Sequence, residues 1–436
     1  MARDDSWKKG FEQAELLTSR SEKLTINLEN WNVENISNQN LSRSSLRVID
    51  DGNLGGNTCL GHSDEAWQGL IEGAEQSVRY GDEAVFSFSQ HSLSSYHEKT
   101  ANNFEEVPED EVMSFLNELL GFFREVAPEV TLNVSFNKSY SEIELETSRG
   151  GSLKENKSNY SLTVYLPIPG GGSSFGRYFE QDEMFSRLPE AELNEFLREF
   201  ELAEEVSCPD TGRLPVLFTP GALYFFTVSL NEGISAANIY RETSPLVGSR
   251  ENKIFSEKIS VTDRPHREDA GASRHFDDEG IPTREQKVVE EGFLKDYIYD
   301  LEYAARMDAR PKGNGLKKGL FSSGIDVPVS PSFVNPTIEP GEEKKEDMIS
   351  GLDEGIMVES IVGFHSSNYS QGHFSVQAHG YHIKDGELKG RLEDVMIAGN
   401  IYDDFDRVSA VGRRLYPGRF GYYPYVLVPD IQVSAR

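Results

Sequence analysis

Cysteine is scarce in this chain: Cys59 and Cys208 are the two cysteines among 436 residues. Two thiols can build neither a disulfide framework nor a cysteine-rich zinc site, so we expect a reducing compartment, the cytoplasm. The sequence also lacks any apolar run approaching the roughly 18 residues that a membrane-spanning helix needs. Its first residues contain no apolar segment typical of a signal peptide. We therefore expect no membrane association.

Basic residues are also in short supply. Lysine and arginine number 43 against 73 aspartates and glutamates, which gives a formal net charge of −30 at pH 7. Phosphate would be repelled over most of such a surface, so we expect no nucleic-acid partner. We interpret the acidity as a feature that favours solubility.

What the chain does contain is enough apolar surface for folded domains. Hydrophobic residues make up 37% of it and aromatic residues 11%. The length exceeds what one ordinary core supports. We predict the α+β fold class, with an N-terminal α+β region followed by a mainly antiparallel β C-terminal domain. The predicted domains are residues 1–88, residues 89–208 and residues 209–436.

Hydrophobic periodicity predicts the elements of the first two domains. Ser63 is expected to cap a helix, and apolar residues spaced i, i+3, i+4 predict two more helices, one between Pro108 and Pro128 and one over residues 193–200. Apolar and polar residues alternate in several segments, as in half-buried strands. These segments are residues 24–28, 46–48, 84–88, 130–136, 143–145 and 160–166.

From Pro215 onward the sequence predicts mostly β structure. Turn residues at 290–292 and at 385–386 separate short apolar runs, which indicates two β-hairpins. Residues 310–355 are rich in proline, glycine, lysine and glutamate, and they predict long surface loops.

A metal-binding helix of the His-Glu-x-x-His or His-Glu-x-x-x-His type is missing from the sequence. In that pattern two imidazoles lie on adjacent helical turns with a carboxylate base between them. Only His97-Glu98 begins such a pattern. The second histidine would be at position 101 or 102, and these positions hold alanine and asparagine. We interpret His97 as a surface residue in a loop.

Residues 172–176 read Gly-Ser-Ser-Phe-Gly and match the nucleophile elbow of serine hydrolases. An elbow needs a helix directly after the serine, and residues 177–182 show no helix start. A glycine-rich hairpin tip explains the glycines better, so we assign Ser174 no catalytic role.

Four histidines in the C-terminal region fall within 18 residues of one another: His365, His373, His379 and His382. Strands of one sheet can bring such side chains together as metal ligands. On a single strand, however, residues 373 and 379 would be roughly 20 Å apart. We favour structural or surface roles and keep a metal site formed by these histidines as the alternative.

The most unusual string contains three consecutive carboxylates, Asp277, Asp278 and Glu279, preceded by Arg274 and followed by Gly280. Such carboxylates could hold a cation or fasten a turn. A charge run of this size is ordinarily a solvated turn.

This string, continued by Val-Glu-Glu-Gly-Phe-Leu-Lys-Asp-Tyr at residues 289–297, resembles the central signature of the TldD/PmbA family. Residues 372–381 resemble the family's Gly-x-Phe-Ser-x-x-x-x-Gly segment, and residues 397–401 and 411–412 follow at the expected distance. Residues 47–52 and the helix after Ser63 are similar to the family's N-terminal section. The resemblance therefore runs from about Lys23 to the end of the chain.

The resemblance implies a dimer, in which TldD-type and PmbA/TldE-type chains pair as heterodimers. It also implies that the TldD-type chain binds zinc through His-Glu-x-x-x-His and cleaves unfolded peptides, gripping their backbone like an added strand. The metal helix would fall shortly after Pro220, where residues 222–233 contain no histidine. The chain is therefore placed with the PmbA/TldE-type subunits, with no catalytic residue and no cofactor of its own. Zinc is expected in a TldD-type partner.

The motif residues are assigned roles in substrate binding or structure. The three carboxylates are expected to brace the region near the partner's metal. The full set of motif residues with a predicted role in substrate binding or structure is Arg274, Asp277, Asp278, Glu279, Gly280, Gly372, Ser375, Gly399 and Asn400.

The sequence leaves three hypotheses. The main one is a non-metal-binding partner subunit that completes the peptide chamber of a zinc protease, with a homodimer of this chain alone left open. The second is a stand-alone metallopeptidase whose metal is held by His365, His373, His379 or His382. The third is a non-enzymatic peptide-binding protein.

Overall fold

The computed structural model describes residues 5–92, 107–167, 174–181, 190–267, 273–319 and 324–435. The chain folds as two compact units. Unit 1 comprises Met1–Phe196, Glu268–Thr283 and Asp300–Ser330, and unit 2 comprises Leu197–Arg267, Arg284–Tyr299 and Pro331–Arg436. The division into three domains at residues 88 and 208 stays a prediction.

The helices of the described residues, in chain order, are α1 Asp64–Val78, α2 Glu109–Val126, α3 Glu190–Ala203, α4 Tyr224–Ile234, α5 Ala236–Tyr240, α6 Leu301–Arg306, α7 Lys345–Ser350 and α8 Ile401–Asp404. The strands of the first half are β1 Gln13–Glu29, β2 Asn32–Asp50, β3 Asn53–Leu60, β4 Asn133–Thr147, β5 Ser152–Pro167, β6 Ser174–Gln181, β7 Gly212–Phe218 and β8 Val261–Asp263. The remaining strands are β9 Gln286–Glu290, β10 Phe293–Leu294, β11 Gly315–Leu316, β12 Ser330–Pro331, β13 Pro336–Ile338, β14 Glu354–Val362, β15 His373–Lys384, β16 Glu387–Arg391, β17 Met396–Asn400, β18 Ala410–Val411, β19 Tyr416–Gly418, β20 Gly421–Tyr423 and β21 Val426–Ser434.

Unit 1 is built on an antiparallel sheet with the strand order β3-β2-β1-β4-β5-β6. Helix α1 begins where the Ser63 hydroxyl accepts a hydrogen bond from the Ala66 N–H at 3.2 Å. Its apolar face, with Leu70 and Ala74, packs on Leu16 and the other buried apolar residues of β1 and β2. Since alternate residues of a strand face opposite sides of the sheet, the alternation in the sequence fixes which residues meet this helix.

The helices predicted in the first half of the chain are confirmed as α1, α2 and α3, and the strands predicted at residues 24–28, 46–48 and 160–166 lie in β1, β2 and β5. Two predictions are wrong. Residues 84–88 form no strand, although Phe88 is buried, because alternation alone does not supply a partner strand. Residues 133–136 and 143–145 belong to one strand, β4, which pairs continuously with β1 and β5 through its polar middle, whereas residues 130–132 lie before it.

Unit 2 contains two larger sheets. One has the order β10-β9-β8-β13-β20-β19, and the other the order β14-β7-β21-β17-β15-β16. In the second sheet β14 also pairs with β15, so the path β14-β7-β21-β17-β15 closes on itself. Closure leaves these five strands without a free edge between them.

The two predicted hairpins of unit 2 are confirmed, as β9–β10 and β15–β16. The mostly antiparallel pairing confirms the α+β fold class with a β-rich C-terminal part. The prediction of surface loops over residues 310–355 is wrong in part. Residues 313–317 and 332–338 are buried, and this segment also supplies β13 and α7, because its apolar residues are needed to fill cores.

Two sequence patterns fall partly or wholly outside the described residues. His97 and Glu98 lie outside the described residues, and so do residues 172 and 173 of the serine pattern. Ser174 to Gly176 begin β6, which continues to Gln181. A strand after the serine lacks the helix that a nucleophile elbow requires. Within the described part of the chain, no helix is long and apolar enough to cross a membrane.

The core of unit 1 can be tested at α2. Leu116 is fully buried, whereas its neighbour Asn117 is exposed. We expect Leu116→Ala to lower the free energy of unfolding by about 2–5 kcal/mol, because it removes buried methyl groups and leaves a cavity. Urea denaturation followed by tryptophan fluorescence measures unit 1, since all three tryptophans (Trp7, Trp31 and Trp67) belong to it. Asn117→Ala is the control, and a loss as large in that variant would contradict the prediction.

Candidate functional site

Helix α4 lies where the resemblance places the metal-binding helix of TldD-type chains. Strand β7 ends at Phe218, and the Thr219 N–H then donates to the Val358 carbonyl at 3.0 Å. Residues 224–230 are all buried. The helix has the sequence Tyr-Phe-Phe-Thr-Val-Ser-Leu-Asn-Glu-Gly-Ile and carries no imidazole.

Aromatic rings fill the surroundings of α4. The Phe225 ring centroid lies 5.1 Å from that of Phe374 and 5.2 Å from that of Phe218. On the next residue, the Phe226 ring stacks on Phe405 at 4.4 Å. Phenyl rings pack favourably against one another but carry none of the nitrogen, oxygen or sulfur atoms that bind zinc. At this place the chain has a packed apolar core.

The carboxylate run lies in unit 1 and is buried. Asp277 is 0% exposed, Asp278 7% and Glu279 2%. One Asp277 oxygen accepts hydrogen bonds from the Glu279 and Ile281 N–H groups at 3.0 and 2.8 Å, and the other accepts from the Gly315 N–H at 2.9 Å. Asp277 thus closes its own turn and holds a distant segment against it. The interpretation as a solvated turn is therefore wrong.

Asp278 and Glu279 are fastened in the same manner. Arg274 donates to one Asp278 oxygen at 2.7 Å, and the Lys317 N–H donates to the other at 2.6 Å. Glu279 Oε2 accepts from the Leu301 N–H at 2.7 Å. Backbone amides and guanidinium groups stabilise ionised carboxylates strongly when water is excluded.

Arg47 completes this buried cluster. Its Nη1 donates to Glu279 Oε1 at 2.9 Å, and its Nε donates to Glu15 Oε1 at 2.7 Å. Every oxygen of Asp277, Asp278 and Glu279 therefore has a protein donor. The run acts as a structural brace of unit 1. Gly280, with φ +73°, makes the turn after it, where a Cβ would lie 3.0 Å from Leu145.

Burial shifts the pKa of several groups in this cluster. It raises the pKa of Glu15 to about 7, against the opposing effect of Arg47. Burial, together with the Glu279 carboxylate, also raises the pKa of Asp300 to about 7 and that of Asp277 well above its ordinary value. Burial and the nearby Arg47 lower the pKa of Lys317 to about 8. The cluster thus contains groups that titrate near neutral pH.

In unit 2 a polar cleft of about 740 Å³ brings several predicted residues together. Strands β15 and β17 pair there, with His373 opposite Asn400 and Ser375 opposite Ala398. The lining offers hydroxyl, amide, imidazole and guanidinium groups, which suit a polar ligand held by hydrogen bonds. The lining residues are Arg213, Ser366, Ser367, Asn368, His373, Phe374, Ser375, Ala398, Gly399, Asn400, Asp403, Asp404 and Arg407.

Local contacts explain why asparagine is present at position 400 and glycine at positions 372 and 399. Its Oδ1 caps α8 by accepting from the Tyr402 N–H at 2.9 Å, and its Nδ2 donates to the Gln371 carbonyl at 2.9 Å. Gly372 has φ +76°, and a Cβ there would lie 2.6 Å from the Tyr402 ring. A Cβ on Gly399 would lie 1.9 Å from Asp404 Oδ2. Only glycine fits at either position without displacing a neighbour.

Two arginines and two aspartates border the cleft. Arg407 donates to Asp404 at 2.5 Å and to Asp430 at 3.0 Å, and Arg213 donates to Asp430 at 2.6 Å. Burial raises the pKa of Asp404, although the Asn400 N–H and Arg407 oppose this effect. Both guanidinium groups are therefore held at the border of the cleft by protein carboxylates.

The sequence profile of the PmbA/TldA metallopeptidase C-terminal domain matches residues 211–435, more than half of the chain. The chain belongs to the PmbA/TldD family. A zinc metalloprotease TldD homolog of Saccharolobus solfataricus is 26% identical over 48% of this chain and 45% of its own length. An uncharacterized protein of Methanocaldococcus jannaschii is 24% identical over 91% of both chains. This PmbA/TldD-family chain otherwise spans about half the length of several curated relatives that it matches, such as the TldD homolog.

The fold of this PmbA/TldD-family chain is similar to a solved structure over its whole length. TldE from Thermococcus kodakarensis superimposes with a TM-score of 0.87, covering 99% of this chain and 98% of that one at 23% identity. At this identity the likeness shows a common fold.

The four histidines of this family member do not converge. His365 lies in a short 3-10 helix over Phe364–Ser366, and His373 lines the cleft. His379 and His382 lie further along β15, where His382 is buried and its Nδ1 lies 2.8 Å from the Ser207 hydroxyl. Within the described ranges no three His, Cys, Asp or Glu side chains form a group that could hold a metal. The structure gives the displaced-ligand hypothesis no support.

Sequence reasoning missed Glu15, Arg47 and Lys317 in the cluster, and Arg213 and Arg407 at the cleft. One signal was present: Glu15 and Arg47 are charged residues within apolar strand segments, Ala-Glu-Leu-Leu and Leu-Arg-Val-Ile. A charge at such a position requires a buried partner. The partner itself could not be read from the sequence, because Glu279 lies 232 residues beyond Arg47.

The raised pKa of Glu15 makes the stability of unit 1 depend on pH. A folded-state pKa of about 7 against an ordinary value of 4.5 gives a contribution that is complete below pH 4.5 and lost as the pH rises through 7. We expect Glu15→Gln to reduce the fall in unfolding free energy between pH 4.5 and 8 by about 3 kcal/mol. Urea denaturation followed by tryptophan fluorescence measures the unfolding free energy at each pH. The exposed Glu12→Gln is the control, and an unchanged pH slope in Glu15→Gln would contradict the assignment.

Gly399 provides a test of the cleft. We expect Gly399→Ala to destabilise unit 2 by about 2–3 kcal/mol, because the new methyl group displaces Asp404 from the Asn400 N–H. Hydrogen exchange of residues 396–407 measures the local effect. Gly212→Ala is the matched control, since a Cβ at Gly212 meets no atom within 4 Å. Equal protection in both variants would show that the Asp404 contact is unimportant.

Proposed function

We propose that this chain is the non-metal-binding partner subunit of a TldD/TldE-type zinc metalloprotease complex that degrades or processes unfolded peptides. The observation that carries the proposal is α4, which is filled with buried aromatic and aliphatic side chains. Without imidazole ligands zinc is not held at this helix and no water is activated there. A TldD-type chain would supply the metal, and both chains would act in the cytoplasm.

The polar cleft of unit 2 supports a role for this chain in binding the peptide substrate. Its exposed Ser375 hydroxyl lies on a paired strand, at a position held by the Asn400 contacts, where a hydroxyl group can bind the main chain of a flexible peptide. Main-chain hydrogen bonds select little between sequences, which suits substrates that are defined by being unfolded. The sequence-predicted Ser375, Gly399 and Asn400 would then position the substrate while the partner cleaves it.

The experiment is to produce the chain with a TldD-type chain from the same organism and to measure peptide cleavage and zinc content. We expect a stable complex with one zinc per TldD-type chain, and faster cleavage of an unfolded peptide than by the TldD-type chain alone. Replacing the partner's zinc-ligating histidines should abolish cleavage without dissolving the complex.

A matched variant of this chain separates the alternatives. His373→Ala combined with His379→Ala should leave the zinc content unchanged, because neither side chain is assigned to a metal. The proposal fails if this chain alone carries one zinc that the double variant loses, or if it neither binds a TldD-type chain nor alters its cleavage.

A further inference from the structure

His382 lies between a hydroxyl group and a carboxylate in unit 2. Its Nδ1 is 2.8 Å from the Ser207 hydroxyl oxygen, and its Nε2 is 3.5 Å from Glu354 Oε1. A serine, a histidine and an acidic residue that meet in this order make up the triad of serine hydrolases. Such a triad is recognised by its geometry, because its members occupy different sequence positions in unrelated folds.

The carboxylate determines which imidazole nitrogen carries the proton. A neutral imidazole has one N–H donor and one acceptor, and an ionised carboxylate can only accept. Glu354 therefore favours the proton on Nε2, which leaves Nδ1 to accept from the Ser207 hydroxyl. Among the described residues, His382 Nε2 is buried without a hydrogen bond. A small approach of Glu354 would satisfy it, and catalytic hydrogen bonds often shorten in this way when substrate binds.

The imidazole and the hydroxyl differ in their access to solvent, as a nucleophilic site requires. The His382 side chain is 3% exposed, whereas Ser207 is half-buried and the next residue, Cys208, is exposed. The imidazole is thus shielded from water while the hydroxyl can be reached from outside. Exclusion of water strengthens the interaction between the imidazole and the carboxylate.

The segment that carries Ser207 is fixed on both sides of the serine. The Ser207 N–H donates to the Arg391 carbonyl at 2.9 Å, and the Arg391 N–H donates to the Glu205 carbonyl at 2.8 Å. Beyond the serine, the Asp210 N–H donates to Glu354 Oε1 at 3.1 Å. A reacting group that is already held in place loses little freedom when a substrate binds.

A donor for the negative charge that develops on a substrate's carbonyl oxygen is available beside the serine. The Cys208 N–H makes no hydrogen bond within the described part of the chain. In hydrolases with a nucleophile elbow, the N–H of the residue after the serine supplies part of the oxyanion hole. The Cys208 N–H has that place in the sequence relative to Ser207.

The charges around the serine select the substrate. Glu204, Glu205 and Asp210 are exposed in the same segment. The guanidinium group of Arg391 is engaged, since it donates to the Glu204 carbonyl at 3.0 Å and to Glu393 at 3.2 Å. A substrate with its own negative charge would be repelled here, so the site suits a neutral ester.

We propose that Ser207 is the nucleophile of an esterase site in unit 2, with His382 as general base and Glu354 as the residue that positions the imidazole. The Ser207 oxygen attacks the carbonyl carbon of a neutral carboxylic ester while its proton passes to His382 Nδ1. The C–O bond of the ester breaks, and the alcohol leaves with that proton. A water molecule then attacks the acyl-serine in the same manner and releases the carboxylic acid. This proposal does not rest on the proposed function.

Covalent labelling of the full chain tests the nucleophile. A neutral alkyl fluorophosphonate is the probe, because an activated serine attacks its phosphorus and displaces fluoride. We expect one label on Ser207, located by mass spectrometry, and none after Ser207→Ala. Ser350→Ala is the matched control and should keep the label, since the exposed Ser350 hydroxyl contacts only a carbonyl. A wild-type chain that is not labelled, or is labelled only at another residue, overturns the proposal.

Hydrolysis of p-nitrophenyl butyrate tests the other two residues and the substrate class. We expect His382→Gln to lower kcat at least about hundredfold. Glu354→Gln keeps an acceptor for the Asp210 N–H and should lower kcat at least about tenfold with KM unchanged, which a loss of structure would not do. The p-nitrophenyl hemisuccinate, whose acyl chain has the same length but carries a carboxylate, should react at least about tenfold more slowly.

Thermal unfolding checks that each variant is folded. Hydrolysis that survives His382→Gln in a folded chain, or an unchanged kcat in Glu354→Gln, overturns the proposal. Equal rates for the two esters overturn the assigned substrate class. Neither a TldD-type chain nor a peptide is present, so these outcomes leave the proposed function untouched.

Discussion

The contact of Arg47 with two buried carboxylates, Glu15 and Glu279, is the interaction on which unit 1 depends. It joins β1, β2 and the turn after Asp278, which are far apart along the chain. Removing one partner of such a cluster leaves an unpaired buried charge, which costs more than the loss of an ordinary hydrogen bond. The charge is held only because backbone amides and other side chains satisfy the remaining oxygens. The carboxylates of residues 277–279, which the sequence suggested were solvated, are therefore buried groups that link segments of the unit 1 core.

Local patterns predicted those parts of the fold that local physics determines. Helix α2 follows from its apolar spacing, α1 from the Ser63 cap, and the β9–β10 hairpin from the turn at residues 290–292. Strand β4 was harder to predict as one strand, because its middle is polar and its pairing with β1 and β5 keeps it extended. Residues 84–88 show the reverse case, an alternating pattern that has no strand beside it.

The candidate site was predictable to a similar degree. The motif resemblance singled out Gly372, Ser375, Gly399 and Asn400. The structure brings the last three to one cleft, and Gly372 directly precedes His373, which lines it. What the sequence could not show is why these residues are needed, because the reasons are the ring of Tyr402 and the carboxylate of Asp404. Side chains that act through tertiary contacts, such as Arg213 on Asp430, leave no local pattern to read.

The closed path of strands in unit 2 has a consequence for the source of its stability. Five strands that satisfy one another, with α4 held by stacked rings, obtain their stability from backbone pairing and apolar packing. Folds that obtain it from a bound metal cannot mature until the ion arrives. In unit 2, by contrast, the closed strands and the rings around α4 hold one another through contacts within the chain itself.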